Sequence, residues 1–202
     1  MPTPNQSGLF AGLLALFSSA VFSETVIVNL EEPSTDGFYT GISNLRGWAV
    51  AESGIASIEI DVDGTYAFDV PMGGMRGDVA KVYPDFPDSD TSGFSMAYNY
   101  KGLSPGEYVF TARAISKDGG VATDSATVKV DRFLSSYIRD SSEVDTSTVS
   151  EVSFGDASFT LKGLTVEGHQ WDVVMDFDTA TQSFEIADIA EVGAPDTGAV
   201  CK

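Results

Sequence analysis

The chain has 202 residues, of which 30 are acidic and 11 are basic, so its formal net charge at pH 7 is −19. Nucleic acid and anionic lipid headgroups repel such a polyanion, and we therefore exclude both as partners. Apolar residues make up 43 % of the chain and include 13 Phe, 7 Tyr and 2 Trp, enough for a packed core. The single Cys201 excludes an internal disulfide, and the single His169 excludes His-rich metal sites.

The N-terminal segment has the pattern of an export signal. Nine apolar residues, Leu9-Phe-Ala-Gly-Leu-Leu-Ala-Leu-Phe17, precede small residues that allow cleavage after Ala20 or Ser23. The apolar run is too short to span a bilayer as a helix. No Lys or Arg precedes it, so a buried N-terminal helix is the alternative. We expect residues 1–23 to be a signal peptide, and the mature chain to be exported to the periplasm, the cell surface or the extracellular space without a membrane span.

Beyond the predicted signal peptide, apolar residues alternate with polar ones, which is the pattern of half-buried β-strands. Ile58, Ile60 and Val62 lead to Asp63-Gly64, a dipeptide favoured in two-residue hairpin turns because both positions need positive φ. The same alternation between turn signals gives about seven strands within residues 24–131. The fold class is therefore predicted to be all-β, with an immunoglobulin-like β-sandwich that lacks the antibody disulfide.

Aromatic side chains on the predicted strands are expected to point inward and form the core. These are Trp48, Phe68, Phe94, Phe110, Trp171 and Phe184. Burial of such rings would have to hold the two sheets together, since no pair of cysteines is present.

The composition changes after the predicted sandwich. Residues 131–139 suit two turns of helix within a Ser/Thr-rich and acidic stretch, so we predict 132–150 to be a linker with a short helix. Alternation resumes over residues 151–192, which predicts a small antiparallel β-meander with a bulge at Gly163. So few strands bury little apolar area alone, and we expect this unit to pack on the sandwich or on a partner. The tail, 193–202, is expected to fray.

Seven short strings in the sandwich region carry a family resemblance. They are Gly47-Trp-Ala49, Gly54-Ile55, Glu59-Ile-Asp-Val-Asp-Gly64, Arg76-Gly-Asp-Val-Ala80, Tyr83-Pro-Asp-Phe-Pro-Asp-Ser89, Ser92-Gly-Phe94 and Leu103-Ser-Pro-Gly-Glu107. In this order they make residues 43–130 resemble bacterial Ig-like domains of exported and cell-surface proteins. The resemblance implies a non-catalytic sandwich, often an accessory unit beside an adhesin or a glycosidase. This chain carries one copy and no attached enzyme, which leaves the purpose of the module open. Residues 150–190 resemble, more weakly, a small β unit that accompanies such domains.

The connection over residues 71–93 is the candidate site, because it is longer than joining two strands requires. It contains four carboxylates, Asp78, Asp85, Asp88 and Asp90, and carboxylate oxygens are ligands that Ca²⁺ prefers. The alternative is that these acids are solvated or cap turns, since no EF-hand loop is present. Calcium is the one cofactor that the sequence suggests.

Three further residues of this connection are candidate ligand contacts. Tyr83 and Phe86 suit a platform on which a sugar ring stacks, and packing into the core is the alternative. Arg76 begins the tripeptide Arg76-Gly77-Asp78, which integrins read; pairing of Arg76 with a neighbouring acid is the alternative.

No G-x-S-x-G, C-x-x-C, H-E-x-x-H or phosphate-loop motif occurs in the sequence, so we expect no enzymatic activity. The sequence favours an exported binding or spacer module of the cell envelope or extracellular space, which recognises a protein or a glycan through the 71–93 loop. One alternative is a secreted hydrolase or inhibitor that uses the acidic loop. Another is a structural tether inside a larger assembly.

Overall fold

The structure, a computed structural model, describes residues 24–179 and 181–193. The predicted signal peptide, Cys201 and nearly all of the predicted tail lie outside the described residues. Over the described ranges the chain is almost entirely strand and turn, and no helix there is long and apolar enough to cross a bilayer. The strands are β1 (Val26–Glu32), β2 (Phe38–Tyr39), β3 (Ile42–Ala51), β4 (Ile55–Val62), β5 (Thr65–Asp69), β6 (Met72–Gly74), β7 (Gly93–Asn99), β8 (Gly106–Ser116), β9 (Val121–Val130), β10 (Val144–Asp145), β11 (Glu151–Phe154), β12 (Ser158–Val166), β13 (His169–Asp178) and β14 (Ser183–Glu191), and the one α-helix within the described residues is α1 (Gly77–Val82).

The first nine strands form two sheets. One has the order β1-β3-β7-β6 and the other the order β2-β9-β8-β4-β5. All neighbours pair antiparallel except β2 and β9, which are parallel. In the Ig convention, β1, β3, β7 and β6 are strands A, B, E and D of one sheet, and β4, β8 and β9 are strands C, F and G of the other. Strand β2 is the part of strand A that crosses over to pair with strand G, and β5 is an added edge strand beside strand C. The predicted Ig-like sandwich is confirmed.

A tyrosine corner marks the start of β8. Tyr108 Oη donates a hydrogen bond to the carbonyl oxygen of Ser104, four residues upstream, at 3.0 Å. In antibody domains the second cysteine of the inter-sheet disulfide follows this tyrosine by two residues. In this chain that position is Phe110, whose side chain is fully buried. A phenyl ring therefore occupies the place of the disulfide.

Aromatic rings from both sheets meet around Phe110. The centroid of its ring lies 5.6 Å from that of Tyr98 and 5.5 Å from that of Tyr100, and the two tyrosine rings are 4.9 Å apart. Tyr39 stacks on Tyr100 at 4.6 Å. Tyr100 is fully buried, and its hydroxyl donates to the carbonyl oxygen of Asn44 at 3.2 Å, so the polar end of the ring is satisfied.

Four of the six strand aromatics predicted for the core are there: Phe68, Phe94, Phe110 and Trp171. Trp48 was expected inward but faces outward, because Leu45, Gly47 and Ala49 occupy the inward positions of β3. Phe184 lies on the predicted inward face of its strand, yet it is 48 % exposed. The residues that cover this sheet face, Phe133 and Phe38, pack near Trp171 and do not extend over Phe184.

The last five strands form a third sheet, in the order β10-β12-β13-β14, with β11 pairing to β12 beside β10. The predicted bulge is present, since Gly163 has φ +74° and the register of β12 shifts between Leu161 and Leu164. This shift places Leu161 opposite Val173 and Leu164 opposite Trp171. Both ends of β12 thus contribute apolar residues to one sheet face.

The short helix predicted over residues 131–139 is wrong, because these residues contain no helix. Phe133 and Ile138 both pack on the core of the third sheet. These two residues are five positions apart, whereas residues on the same face of a helix are three or four positions apart, so a helix could not direct both side chains to this core. The linker also supplies the two residues of β10, together with 3-10 turns at Ser141–Glu143 and Thr146–Thr148.

The third sheet packs on the sandwich, as expected. The ring of Phe133 meets Trp171 edge-on at 5.2 Å, and Phe38 of β2 packs against the same core. Lys129 of β9 lies over the Phe38 ring at 5.1 Å and pairs with Asp188 of β14 at 3.0 Å. Apolar contact thus joins the two units, with an exposed ion pair beside it.

Replacement of Phe110 tests the ring cluster. We expect Phe110→Ala to lower the free energy of unfolding by about 3–5 kcal/mol, because it leaves a cavity between the sheets. Val109→Ala, at the next position and partly exposed, is the matched control and should cost about 1 kcal/mol or less. Urea denaturation followed by tryptophan fluorescence measures both. Equal effects of the two substitutions would show that the rings do not hold the sheets.

Candidate functional site

The 71–93 segment is folded, which corrects its prediction as an irregular loop. After β6 it forms α1 and a 3-10 turn at Ser89–Thr91 before entering β7. Val79 of α1 and Ser89 of the turn are buried. The segment lies on the outer face of the β1-β3-β7-β6 sheet, where Tyr83 meets the outward-facing Trp48. It is therefore a cover on the sandwich and has a defined shape.

Tyr83 and Phe86 belong to an aromatic cluster with Trp48. The ring centroids of Trp48 and Tyr83 are 5.5 Å apart, and those of Tyr83 and Phe86 are 5.7 Å apart. All three side chains are half-buried. Tyr83 contacts both of the other rings, whereas Trp48 and Phe86 each contact Tyr83. The stacking platform of Tyr83 and Phe86 stays a prediction, and Tyr83 is its more enclosed member. Trp48 was missed as a member of this site, although the inward phase of Leu45 and Ala49 signals its outward direction.

Arg76 fastens the segment to the sheet. Its guanidinium donates to both carboxylate oxygens of Asp78, at 2.9 Å and 2.7 Å, and to Glu31 of β1 at 2.8 Å. Its backbone N–H donates to the carbonyl oxygen of Asp90 at 2.7 Å. The hydrogen bonds from Arg76 hold the pKa of Asp78 well below its usual range. Arg76 and Asp78 thus bind each other, which is the pairing alternative to a ligand contact.

The four aspartates do not converge on one point. Asp78 pairs with Arg76, while Asp88 Oδ2 lies 3.8 Å from Lys117 Nζ. Within residues 24–179 and 181–193, no three acidic, histidine or cysteine side chains are placed to hold one metal ion. The calcium site built from Asp78, Asp85, Asp88 and Asp90 stays a prediction, and the geometry of these residues gives it no support.

The cover exposes apolar side chains beside its acids. Met75 is 76 % exposed and Val82 is 68 % exposed, and Met72 is also exposed. Asp85 and Asp90 lie exposed on the same segment. Sequence reasoning missed the apolar members, because single exposed methionines and valines have no pattern that separates them from core residues.

A cleft of about 280 Å³ opens between the cover and the sandwich. Its lining combines apolar side chains with one carboxylate and two hydroxyl groups. The lining residues are Ala49, Ile55, Ile58, Met72, Gly73, Pro87, Asp88, Thr91 and Ser92. This volume lies near the lower end for small-molecule sites and fits one side chain of a partner.

Carboxyl groups with a displaced pKa are held as anions. Ser116 Oγ donates to Glu24, which lowers the pKa of that carboxyl. The pKa of Asp140 is lowered mainly by a hydrogen bond from the backbone N–H of Ser142. The pKa of Asp145 is lowered mainly by a hydrogen bond from the hydroxyl of Ser147. Asp78 shifts in the same direction. A general acid for glycoside hydrolysis needs a raised pKa, so none of these four groups suits that role.

Asp78 provides a test by pH. Its pKa is lower in the folded state than its ordinary value of 3.8, so the unfolded chain binds more protons in acid. The stabilisation is present above that value and is lost as the pH falls below it. We expect Asp78→Asn to destabilise the chain at pH 7 and to have a smaller effect near about pH 2, where the unfolded chain already binds the proton and part of the stabilisation is lost. Urea midpoints at both pH values measure this, with Asp85→Asn as the control. An equal loss at both pH values would contradict the ion pair.

Calcium provides a second test of the site. Because the four aspartates do not converge, we expect titration of Ca²⁺ into the EDTA-treated protein to give no saturable heat and no change in Tm. The control is Asp88→Ala, which should behave as the unsubstituted chain does. Saturable binding that Asp88→Ala abolishes would restore the calcium site.

No protein-family model and no curated protein matches this chain. Solved structures do match. The fibronectin III-like modules of Clostridium thermocellum CbhA are 17 % identical, with 52 % of this chain and 98 % of that chain covered and a TM-score of 0.33. The N-terminal Ig1-2 module of the Drosophila receptor protein tyrosine phosphatase DLAR is 10 % identical, with 84 % and 97 % covered and a TM-score of 0.36. Bacteroides ovatus SGBP-B, solved with a mixed-linkage heptasaccharide, is 9 % identical, with 82 % and 46 % covered and a TM-score of 0.30.

These TM-scores are all below 0.5, so the likenesses carry no argument about what this chain binds. The fold assignment depends on the order of β1 to β9 and on the tyrosine corner at Tyr108. On those grounds the N-terminal unit of this chain is an Ig-like sandwich.

Proposed function

We propose that this chain is an exported, non-catalytic binding module, and that the 71–93 cover is its recognition surface. The observation that carries the proposal is the exposure of Met75 and Val82 on a segment that Arg76 fastens to the sheet. A segment held in one shape loses little conformational entropy on binding. Flexible, polarizable methionine side chains adapt to the surface of a partner.

A protein partner is favoured over a glycan. Sugar recognition by stacking needs a free aromatic face, and Tyr83 packs on both Trp48 and Phe86. The exposed Met75 and Val82 suit apolar side chains of a protein, and the cleft lined by Met72 and Pro87 of the same segment has room for one such side chain. The neighbouring acids Asp85 and Asp90 favour a partner with basic groups around its apolar contact.

Export is part of the proposal and is supported by the apolar run of residues 9–17 with its small-residue cleavage sites. The hydrolase alternative gains no support from the described residues. Asp78 is neutralised by Arg76, and Asp88 lies exposed near Lys117. Two carboxyl groups facing a substrate in a pocket are the arrangement that hydrolysis requires.

The test is capture of partners by the exposed apolar residues. We expect the mature chain, immobilised and exposed to envelope and culture extracts of its source, to retain one or a few proteins. Met75→Ser/Val82→Ser should reduce that retention at least about ten-fold, because central apolar contacts dominate interface energies. Val121→Ser removes an equally exposed valine from β9 and is the matched control. A glycan array is screened in parallel.

Two outcomes would contradict the proposal. One is equal retention by the double variant and the control, which would place recognition elsewhere. The other is turnover of chromogenic glycoside or peptide substrates that disappears in Asp85→Ala and Asp88→Ala, which would establish the hydrolase alternative.

A further inference from the structure

The third sheet ends in a group of four phenylalanines, three exposed and one half-buried, which we call the distal aromatic face: Phe154, Phe177, Phe184 and the half-buried Phe159. Phe154 is 80 % exposed, Phe184 48 % and Phe177 38 %. The Phe184 ring meets Phe159 at 5.1 Å and Phe177 at 5.3 Å, each edge-on. Phe154 lies opposite Phe159 in the pairing of β11 with β12. The four rings thus extend over strands β11 to β14.

This face continues the face that packs on the sandwich. Phe177 follows Trp171 and Val173 at even spacing along β13, and so it lies on the same side of the sheet. Phe133 and Phe38 cover the end of the sheet at Trp171. In the part of the chain that the structure describes, the other end has no such cover, and its rings stay exposed.

Strand β11 adds an open edge to the exposed face. It pairs with β12 on one side, and no described strand pairs with its other side. All four of its residues are exposed. Val152 and Phe154 lie opposite Leu161 and Phe159 and therefore project onto the distal aromatic face. An edge with apolar side chains and free backbone groups is a template for an added strand.

Charge indicates what kind of strand fits. Residues 151–191 contain nine acidic side chains and one lysine. Asp156, Asp176 and Glu185 border the aromatic residues along the strands and turn. A second copy of the chain would bring the same excess of negative charge to the edge, and like charges in close proximity oppose that pairing. A basic segment is attracted to it.

We propose that the edge of β11 and the distal aromatic face bind an extended segment of a partner protein in which apolar side chains alternate with Lys or Arg. Paired to β11, such a segment places its apolar side chains beside Val152 and Phe154. Its basic side chains then lie on the opposite sheet face, next to Glu151 of β11, and Asp176 and Glu185 lie farther along that face on β13 and β14. Backbone hydrogen bonds provide affinity, and the alternation of side chains provides specificity.

The residues outside the described ranges do not have the composition of such a segment. Residues 1–23 contain no Lys or Arg, and residues 194–202 contain a single lysine, Lys202. The site is separate from the 71–93 cover, and it does not depend on the function proposed for that cover.

Synthetic peptides test the proposal directly. The probe is a fluorescein-labelled nine-residue peptide that alternates Lys with Val and Phe. The first control has Glu in place of Lys, the second has Ser in place of Val and Phe, and the third has N-methylated backbone amides that cannot pair with a strand. We expect saturable anisotropy at low salt for the probe, and at least ten-fold weaker binding for each control. Raising the salt should weaken binding of the probe, because screening shortens the reach of the acidic groups.

Substitutions locate the binding site. Phe154→Ser and Val152→Ser replace exposed apolar side chains of β11 and should each weaken probe binding about ten-fold while leaving the circular dichroism spectrum unchanged. Met75→Ser/Val82→Ser is the matched control and should bind the probe as the unsubstituted chain does. That control makes failure at this site distinguishable from failure of the function proposed for the 71–93 cover.

Three results would overturn the proposal. Equal binding of the probe and the N-methylated peptide would exclude strand addition, and equal binding of the probe and the Glu peptide would exclude charge recognition. The third is a dimer in light scattering that Phe154→Ser dissociates, which would make a second copy the occupant of the edge.

Discussion

The two sheets of the sandwich are joined by aromatic rings that touch one another across the interior. Tyr98 of β7 and Tyr100, just after that strand, meet Phe110 of β8, and Tyr39 stacks on Tyr100 from the crossing segment β2. Large rings bury more apolar area than a disulfide does, and their edge-on contacts add attraction beyond that burial. The 71–93 cover and the attachment of the third sheet depend on this contact, because it fixes the two sandwich sheets against which both of them pack.

Close packing inside the sandwich also determines what lies outside it. A Cβ at Gly47 would collide with the carbonyl oxygen of Asn29 and the ring of Phe94, so only glycine fits beneath that ring. With glycine at an inward position of β3, the neighbouring Trp48 points outward and provides the surface on which the 71–93 cover rests. Arg76 completes the attachment through Glu31 of β1. The core and the candidate site are therefore two sides of one sheet.

The sandwich was predictable because alternation with period two and turn dipeptides such as Asp63-Gly64 are local signals, and the structure confirms both. The position of the candidate site was predictable from the length of its connection. Its internal structure was not, since α1 has only six residues, too few to show helical periodicity. The pairing of Arg76 with Glu31 joins residues 45 positions apart, so no local sequence pattern predicts it. The exposure of Phe184 depends on how far residues from other parts of the chain extend over its sheet face, which the sequence of its own strand does not show.

Phe110 at the disulfide position has a consequence for where the sandwich can mature. Antibody domains gain part of their stability from a sulfur bond that forms only in an oxidising compartment. The sandwich strands β1 to β9 contain no cysteine, so thiol–disulfide exchange has no bond to break or form within them. Such a sandwich reaches the same folded state in a reducing cytoplasm as outside the cell, and its maturation requires neither a disulfide-forming enzyme nor a change of redox environment.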